Sequence, residues 1–254
     1  MIGTIARHET RLQLRSLQTW LVAAPLAALF GYLFLRQLES WLGVQAELAL
    51  QDHPPGLTGF LAARFLAPLA MLASLVAPLF AMRAFSDEFR LATYPLWQSS
   101  PVGDAALVAG KFLGALVVPL GLVALALAMV ASMAAFVRID VGSLAAAALG
   151  LGLVTALSTA AGLYFSALTH RAAVAALGAL ATLLLLWLIG ESGTTVTAAL
   201  PSLDALGGFS IGPRLGGFFQ GYVDSGDILY FVALTLAFLA LTVIRLGALR
   251  RPGG

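Results

Sequence analysis

Six stretches of about twenty predominantly apolar residues recur along this chain, at roughly 20–40, 60–82, 112–136, 143–168, 172–190 and 228–246. A helix needs about 20 such residues to cross the hydrocarbon core of a bilayer. A soluble core has no use for six runs of that length. The composition agrees: 60% of residues are hydrophobic and 10% are charged, against about 25% charged in a soluble domain. The chain therefore reads as an all-α polytopic membrane protein with six transmembrane helices, forming one membrane domain over residues 1–254 with no repeat, linker or second soluble unit. Without cysteine it has no disulfide and no thiolate chemistry.

The first apolar run is interrupted near its far end by Arg36 and Glu39. Both are long enough to snorkel to water there, and Trp20 and Trp41 flank the run as interface anchors. Some nineteen residues precede it, and it exceeds the 7–15-residue core of a signal peptide, so a retained helix is expected. Orientation follows from the basic residues. With the N-terminus in the cytoplasm, ten of the fourteen Lys and Arg fall inside: Arg7, Arg11, Arg15, Arg83, Arg90, Lys111, Arg171, Arg245, Arg250 and Arg251. Four of the twelve acidic residues fall inside and eight outside. The positive-inside rule then places both termini in the cytoplasm. The net charge of +2 reflects this sorting, and nothing in it reads as a nucleic-acid surface.

Residues 1–18 have helical amphipathicity. At 100° per residue Arg7, Arg11 and Arg15 cluster with His8, while Ile2, Ile5 and Leu12 lie on another face. Such a helix can rest on anionic headgroups, present a docking surface, or do both. On the outer side, the loop at 191–227 is glycine-rich. Phe218, Phe219 and Tyr222 are expected at the interface, and Asp227 is expected to cap the last helix.

No Asp, Glu, Lys, Arg or His lies at the centre of any of these runs. A charge there costs about 2.5–3.5 kcal/mol on insertion scales and usually marks an ion, proton or ligand path. Its absence argues against a proton-coupled carrier, a cation channel or a pump. The three histidines (His8, His53, His170) are far apart in sequence, and no nucleophile, HExxH or paired-carboxylate motif is present; neither a metal site nor a catalytic residue is expected. Gly110/Gly114, Ser158/Gly162 and Gly150/Gly152 allow close helix packing, either in the bundle or along a dimer seam or lipid cleft. Pro25, Pro68, Pro78 and Pro119 are expected to kink or loosen helices. The phosphate-binding pattern GxxxxGK[ST] is missing: Phe112 follows Gly110-Lys111, and Ala105 stands where the first glycine belongs.

The stretch Phe85 to Lys111 is polar where its surroundings are lipid-like. It carries Asp87, Glu88 and Arg90, two prolines, a Ser-Pro-Val turn and the only lysine. Its order is Asp87-Glu88, a spacer Phe89 to Leu91, Ala92-Thr93, Leu96, Ser100-Pro101-Val102, then Gly110-Lys111 heading the third run. With the six spans, cytoplasmic termini and amphipathic N-terminal helix, this resembles the ABC-2-type ABC transporter permeases, especially the small permeases of the gliding-motility and copper-enzyme-maturation kind. Two positions depart from that pattern: Ala92 replaces the usual glycine, and Pro95 stands where an acidic residue is common.

The resemblance implies a permease subunit in the bacterial cytoplasmic (inner) membrane. It would pair with a second copy as a homodimer and be driven by a separate ABC ATPase that binds ATP and Mg²⁺. The chain itself would carry no cofactor and no catalytic residue. The loop would form a cytoplasmic coupling helix between spans two and three, with Asp87, Glu88, Arg90, Thr93, Leu96, Pro101 and Val102 at the ATPase contact. Ser86 is available as N-cap, with Asp87 and Glu88 in the first turn. Arg7, Arg11, Arg15 and Lys111 would sit at the membrane interface among lipids, Lys111 snorkelling at the cytoplasmic end of span three. Two other functions remain open: a mechanical subunit passing ATP-driven motion to an extracytoplasmic partner, and a membrane scaffold without an ATPase.

Overall fold

The computed structural model describes residues 1–48, 56–98, 102–189 and 208–250, and these are helical with short connections. In chain order the helices are α1 (Ile2–Arg15), α2 (Leu17–Leu48), α3 (Leu57–Leu61), α4 (Ala67–Ala81), α5 (Ser86–Arg90), α6 (Tyr94–Gln98), α7 (Asp104–Ser132), α8 (Val141–Leu168), α9 (Ala172–Leu188), α10 (Ile211–Phe219) and α11 (Ser225–Arg250). Among the described residues, five helical stretches are long and apolar enough to cross a membrane: Leu17–Gln45, Leu57–Arg90, Asp104–Ala135, Val141–Leu168 and Ser225–Arg250. The fifth expected span corresponds to α9, which has only 17 described helical residues. Pro101, Ser100, His53 and the outer loop before residue 208 lie outside the described residues.

The second span carries its own irregularity. Between α3 and α4, residues Ala62–Leu66 form a π-helical turn in which the Ala67 N–H bonds the Ala62 carbonyl five residues back. Pro68 follows immediately, and a proline offers no N–H to the preceding turn. The wider turn absorbs that missing donor without ending the helix. Pro25, Pro78 and Pro119 lie inside α2, α4 and α7.

α8 is the centre of the bundle. Its buried residues run from Ala146 to Ala167 on several faces, and α4, α7, α9, α10 and α11 all pack against it. Three of its buried hydroxyls are satisfied within the helix: Thr155, Ser158 and Thr159 each donate to the carbonyl four residues back, at 2.6, 2.8 and 2.8 Å. Back-bonding of this kind keeps polar side chains compatible with an apolar interior. Several of the small residues make close contacts within the bundle. A Cβ on Gly162 would lie 2.8 Å from Pro78 Cα, so α4 and α8 touch at backbone distance, and a Cβ on Gly150 would meet Phe218 of α10 at 2.9 Å.

α10 dips back into the protein, which corrects the expectation for the outer loop. Phe218 and Phe219 are buried in the core with Ile211 and Leu215, and only Tyr222 is exposed. Gly150 of α8 leaves the space that Phe218 fills. The last helix is also capped differently. Asp224 accepts from Gly226 N–H at 3.0 Å, while Asp227 pairs with Arg214 of α10 at 2.8 Å. Arg214 also donates to the Gly208 carbonyl and lies 4.5 Å from the Tyr230 ring centroid. α10 is thereby tied to the first turn of α11.

At the opposite end α7 begins eight residues earlier than its apolar run, at Asp104, and α1 lies along its first turns. Arg7, Arg11 and Arg15 point outward, whereas Ile5 and Gln13 are buried. The seat is made by glycine: a Cβ on Gly110 would lie 2.7 Å from Ile5 Cβ, and one on Gly114 would lie 2.5 Å from Glu9 Cβ. Gln13 Nε2 donates to the Phe80 carbonyl at the end of α4, at 3.2 Å. The N-terminal helix is thus a packed part of the bundle, with its basic face left free.

Candidate functional site: the α5–α6 elbow and its anchors

α5 and α6 are too short to hold themselves in place, because a five-residue helix makes almost no internal ladder. Their conformation comes from four anchors. The first is at the start of α5. Ser86 does not cap it; its hydroxyl donates to the Met82 carbonyl at 2.6 Å. The free N–H groups of Phe85 and Ser86 instead both donate to Ser166 Oγ of α8, at 2.9 and 3.0 Å. An N-cap supplied by another helix leaves no local sequence pattern, so only the fold reveals it.

The second anchor is Lys111. Rather than snorkelling, it is 3% exposed. Its Nζ lies 2.8 Å from Glu88 Oε1 on α5 and 3.3 Å from Glu9 Oε2 on α1. It also donates to the Ala84 carbonyl at 2.7 Å and stands 5.2 Å from the Phe85 ring centroid. The difference from expectation has a simple cause. Because α7 begins at Asp104, Lys111 lies in its second turn, beneath the covering helix α1. A buried ammonium needs opposite charge and hydrogen-bond acceptors, and this one has both.

The third anchor closes α5. Thr93 N–H bonds the Glu88 carbonyl at 3.0 Å and Ala92 N–H bonds the Phe89 carbonyl at 3.3 Å, the paired bonds of a Schellman motif. The motif requires a left-handed residue, and Ala92 has φ 53°. The departure noted in the sequence, alanine for glycine, therefore falls on the one described non-glycine residue with positive φ.

The fourth anchor comes from the far end of the chain. Arg250 of α11 pairs with Asp104 at 2.8 Å and donates to the Val102 and Trp97 carbonyls at 3.1 and 3.4 Å. Beneath this frame Phe85, Phe89 and Tyr94 pack as an aromatic row against Leu107, Val108 and Leu163. Burial, with the Asp104 carboxylate adding to it, pushes the Tyr94 phenol above its usual range, so it serves as a neutral packing group.

The expected contact residues separate into two sets. Glu88 faces inward and also accepts from Trp97 Nε1 at 2.9 Å; Thr93 and Val102 belong to the frame. Asp87 pairs with Arg90 at 3.3 Å on the outer surface. Leu96 is 71% exposed, as is the neighbouring Leu91 at 61%. Leu91 was not singled out by sequence, because a leucine beside an apolar run carries no sign of its direction. Ser166 and Arg250 were likewise missed.

The model of the ABC-2 family transporter protein family matches residues 3–206. That match covers α1 through α9 and the entire elbow. A search of curated proteins found no match.

Two outcomes test the anchors. Lys111→Met leaves two buried carboxylates without their cation, and such losses cost about 3–5 kcal/mol. Its detergent-solubilised melting temperature should therefore fall sharply, with partial recovery when Glu9→Gln and Glu88→Gln are added; an unshifted melting curve would refute the buried-ion account. Ala92→Gly should raise stability by up to about 1 kcal/mol by relieving the left-handed strain, and Ala92→Val should lower it, both read by thermal shift.

With most of its length matched, and with five helices among the described residues long and apolar enough to cross a membrane, the chain belongs to the ABC-2 transporter family, as a transmembrane permease component.

Proposed function

We propose that this chain is the permease subunit of an ABC exporter driven by a separate ATPase, and that the α5–α6 elbow receives that ATPase. The observation carrying this reading is the elbow's two-sided character. Inward it is clamped to α1, α7, α8 and α11 through Lys111, Ser166 and Arg250. Outward it presents Leu91 and Leu96, flanked by Arg90 and Asp87. A soluble motor can move a membrane bundle only through an element that is stiff on one side and available on the other. The nucleotide-binding pattern is missing from the sequence, so ATP and Mg²⁺ belong to the partner. Two copies of the permease complete the transporter.

In this reading α9 is a sixth span. Its 17 residues reach about 25 Å, close to the roughly 30 Å hydrocarbon core. Connectivity supports it. α1 and the end of α11 both meet the start of α7, through Gly110 and Gly114 on one side and the Arg250–Asp104 pair on the other. A chain that ends on the side where it began crosses an even number of times. The concentration of arginines at that end supports a cytoplasmic side for it, in keeping with the bacterial inner membrane that the family resemblance implies.

The docking probe follows from the geometry. Reversing Glu88 would disrupt the buried Lys111 site, so Leu91→Glu with Leu96→Glu is the cleaner variant. Covering a leucine stabilises a contact by about 1.5–3 kcal/mol, so losing two should weaken ATPase co-purification by tenfold or more, with insertion unchanged. Undiminished co-purification and permease-stimulated hydrolysis would remove the elbow from the contact. For orientation, Arg138→Cys should react with an impermeant thiol reagent in intact cells and Arg90→Cys should not; the opposite pattern would invert the topology.

A further inference from the structure

We propose that the cleft between α1, the start of α2 and the inner end of α4 binds the headgroup of an ethanolamine phospholipid from the adjacent leaflet. The cleft has a volume of about 540 Å³ and is lined by residues of α1, α2, α4, α5 and α6 together with Lys111. That size is in the range of small-ligand sites. Its level in the membrane is marked by Trp20, next to the lining residue Thr19. Trp20 is exposed, with its indole donating to the Leu14 carbonyl at 2.8 Å, the usual posture of an aromatic at the headgroup layer. Leu12 and Leu21 line the cleft and are themselves exposed, which gives it an apolar lip for the first carbons of an acyl chain.

The polar lining carries both signs, and each has capacity to spare. Arg83 is exposed into this region and makes no ion pair among the described residues. Thr19 also lines the cleft, and its hydroxyl makes no hydrogen bond among the described residues. These two groups suit a phosphodiester. Against them, Glu9 and Glu88 share the single positive charge of Lys111, which leaves one carboxylate charge in excess; Asp87 is taken up by Arg90. His8 also lines the cleft and is exposed. An excess carboxylate repels a purely anionic headgroup and attracts an ammonium. Ethanolamine has three N–H donors for it, whereas a choline headgroup has none. A zwitterion with a donor-bearing cation satisfies both halves of the lining.

This inference is independent of ATPase docking. The test uses delipidated full-length protein loaded with vesicle lipids of one class at a time, phosphatidylethanolamine, phosphatidylcholine or phosphatidylglycerol, and read by native mass spectrometry. One retained phosphatidylethanolamine per chain is expected, about tenfold over the other two. Thr19→Val with Arg83→Gln should reduce that retention by about tenfold, in keeping with the loss of charged hydrogen bonds, while ATPase co-purification stays as in the parent. Equal retention of all three lipids, or retention indifferent to the double variant, would overturn the proposal. Glycerophosphoethanolamine binding as tightly as the lipid would place a soluble zwitterion in the site instead. A cleft that holds no lipid but is protected from a thiol reagent at Ser16→Cys by added ATPase would make its occupant a protein, and would equally end the proposal.

Discussion

One buried ammonium organises the elbow end of this protein. Lys111 is the only lysine in the chain, and its charge is shared by carboxylates from α1 and α5 and by a carbonyl at the end of the second span. Desolvating it is affordable only because all three partners arrive together. That requirement propagates outward. Glu9 can reach Nζ only if α1 lies against α7, and α1 can lie there only because Gly110 and Gly114 have no side chains. Glu88 can reach it only if α5 starts where Ser166 holds its free N–H groups. The glycine pair, the inward acidic residue of α1 and the elbow are therefore one structural unit.

The elbow shows how short helices become rigid without length. Nothing in residues 86–98 would hold five-residue helices in isolation. Here a hydroxyl from α8 caps one end, an arginine from α11 grips the other, and an aromatic row fills the space beneath. The Schellman turn at Ala92 stores a small strain that the surrounding anchors over-determine. A rigid inner face combined with exposed leucines is the physical basis of the coupling role proposed for it.

The opposite end follows a different logic. There the Arg214–Asp227 pair, with the Tyr230 ring, ties α10 to the start of α11. The mid-membrane region between the two ends relies on glycine-mediated contact and self-satisfied hydroxyls. Charge is thus kept at the two ends of the bundle, where water or a paired partner can stabilise it.

The sequence by itself determined the membrane class, the position of five spans and the location of the polar elbow, because hydropathy summed over twenty residues outweighs any local detail. It also marked Ala92 as a departure and the Gly110/Gly114 pair as a close-packing site. Tertiary structure alone decided the rest. Whether Lys111 snorkels or is buried depends on α1, more than a hundred residues away in sequence; whether Phe218 and Phe219 rest at the surface depends on space left by Gly150. The cap from Ser166 and the clamp from Arg250 have no local signature, since a lone serine in an apolar helix and an arginine near a chain end look the same with or without a distant partner. Periodicity and hydropathy are properties of one segment, whereas a buried charge or an uncapped helix end is satisfied by whichever segment the fold brings to it.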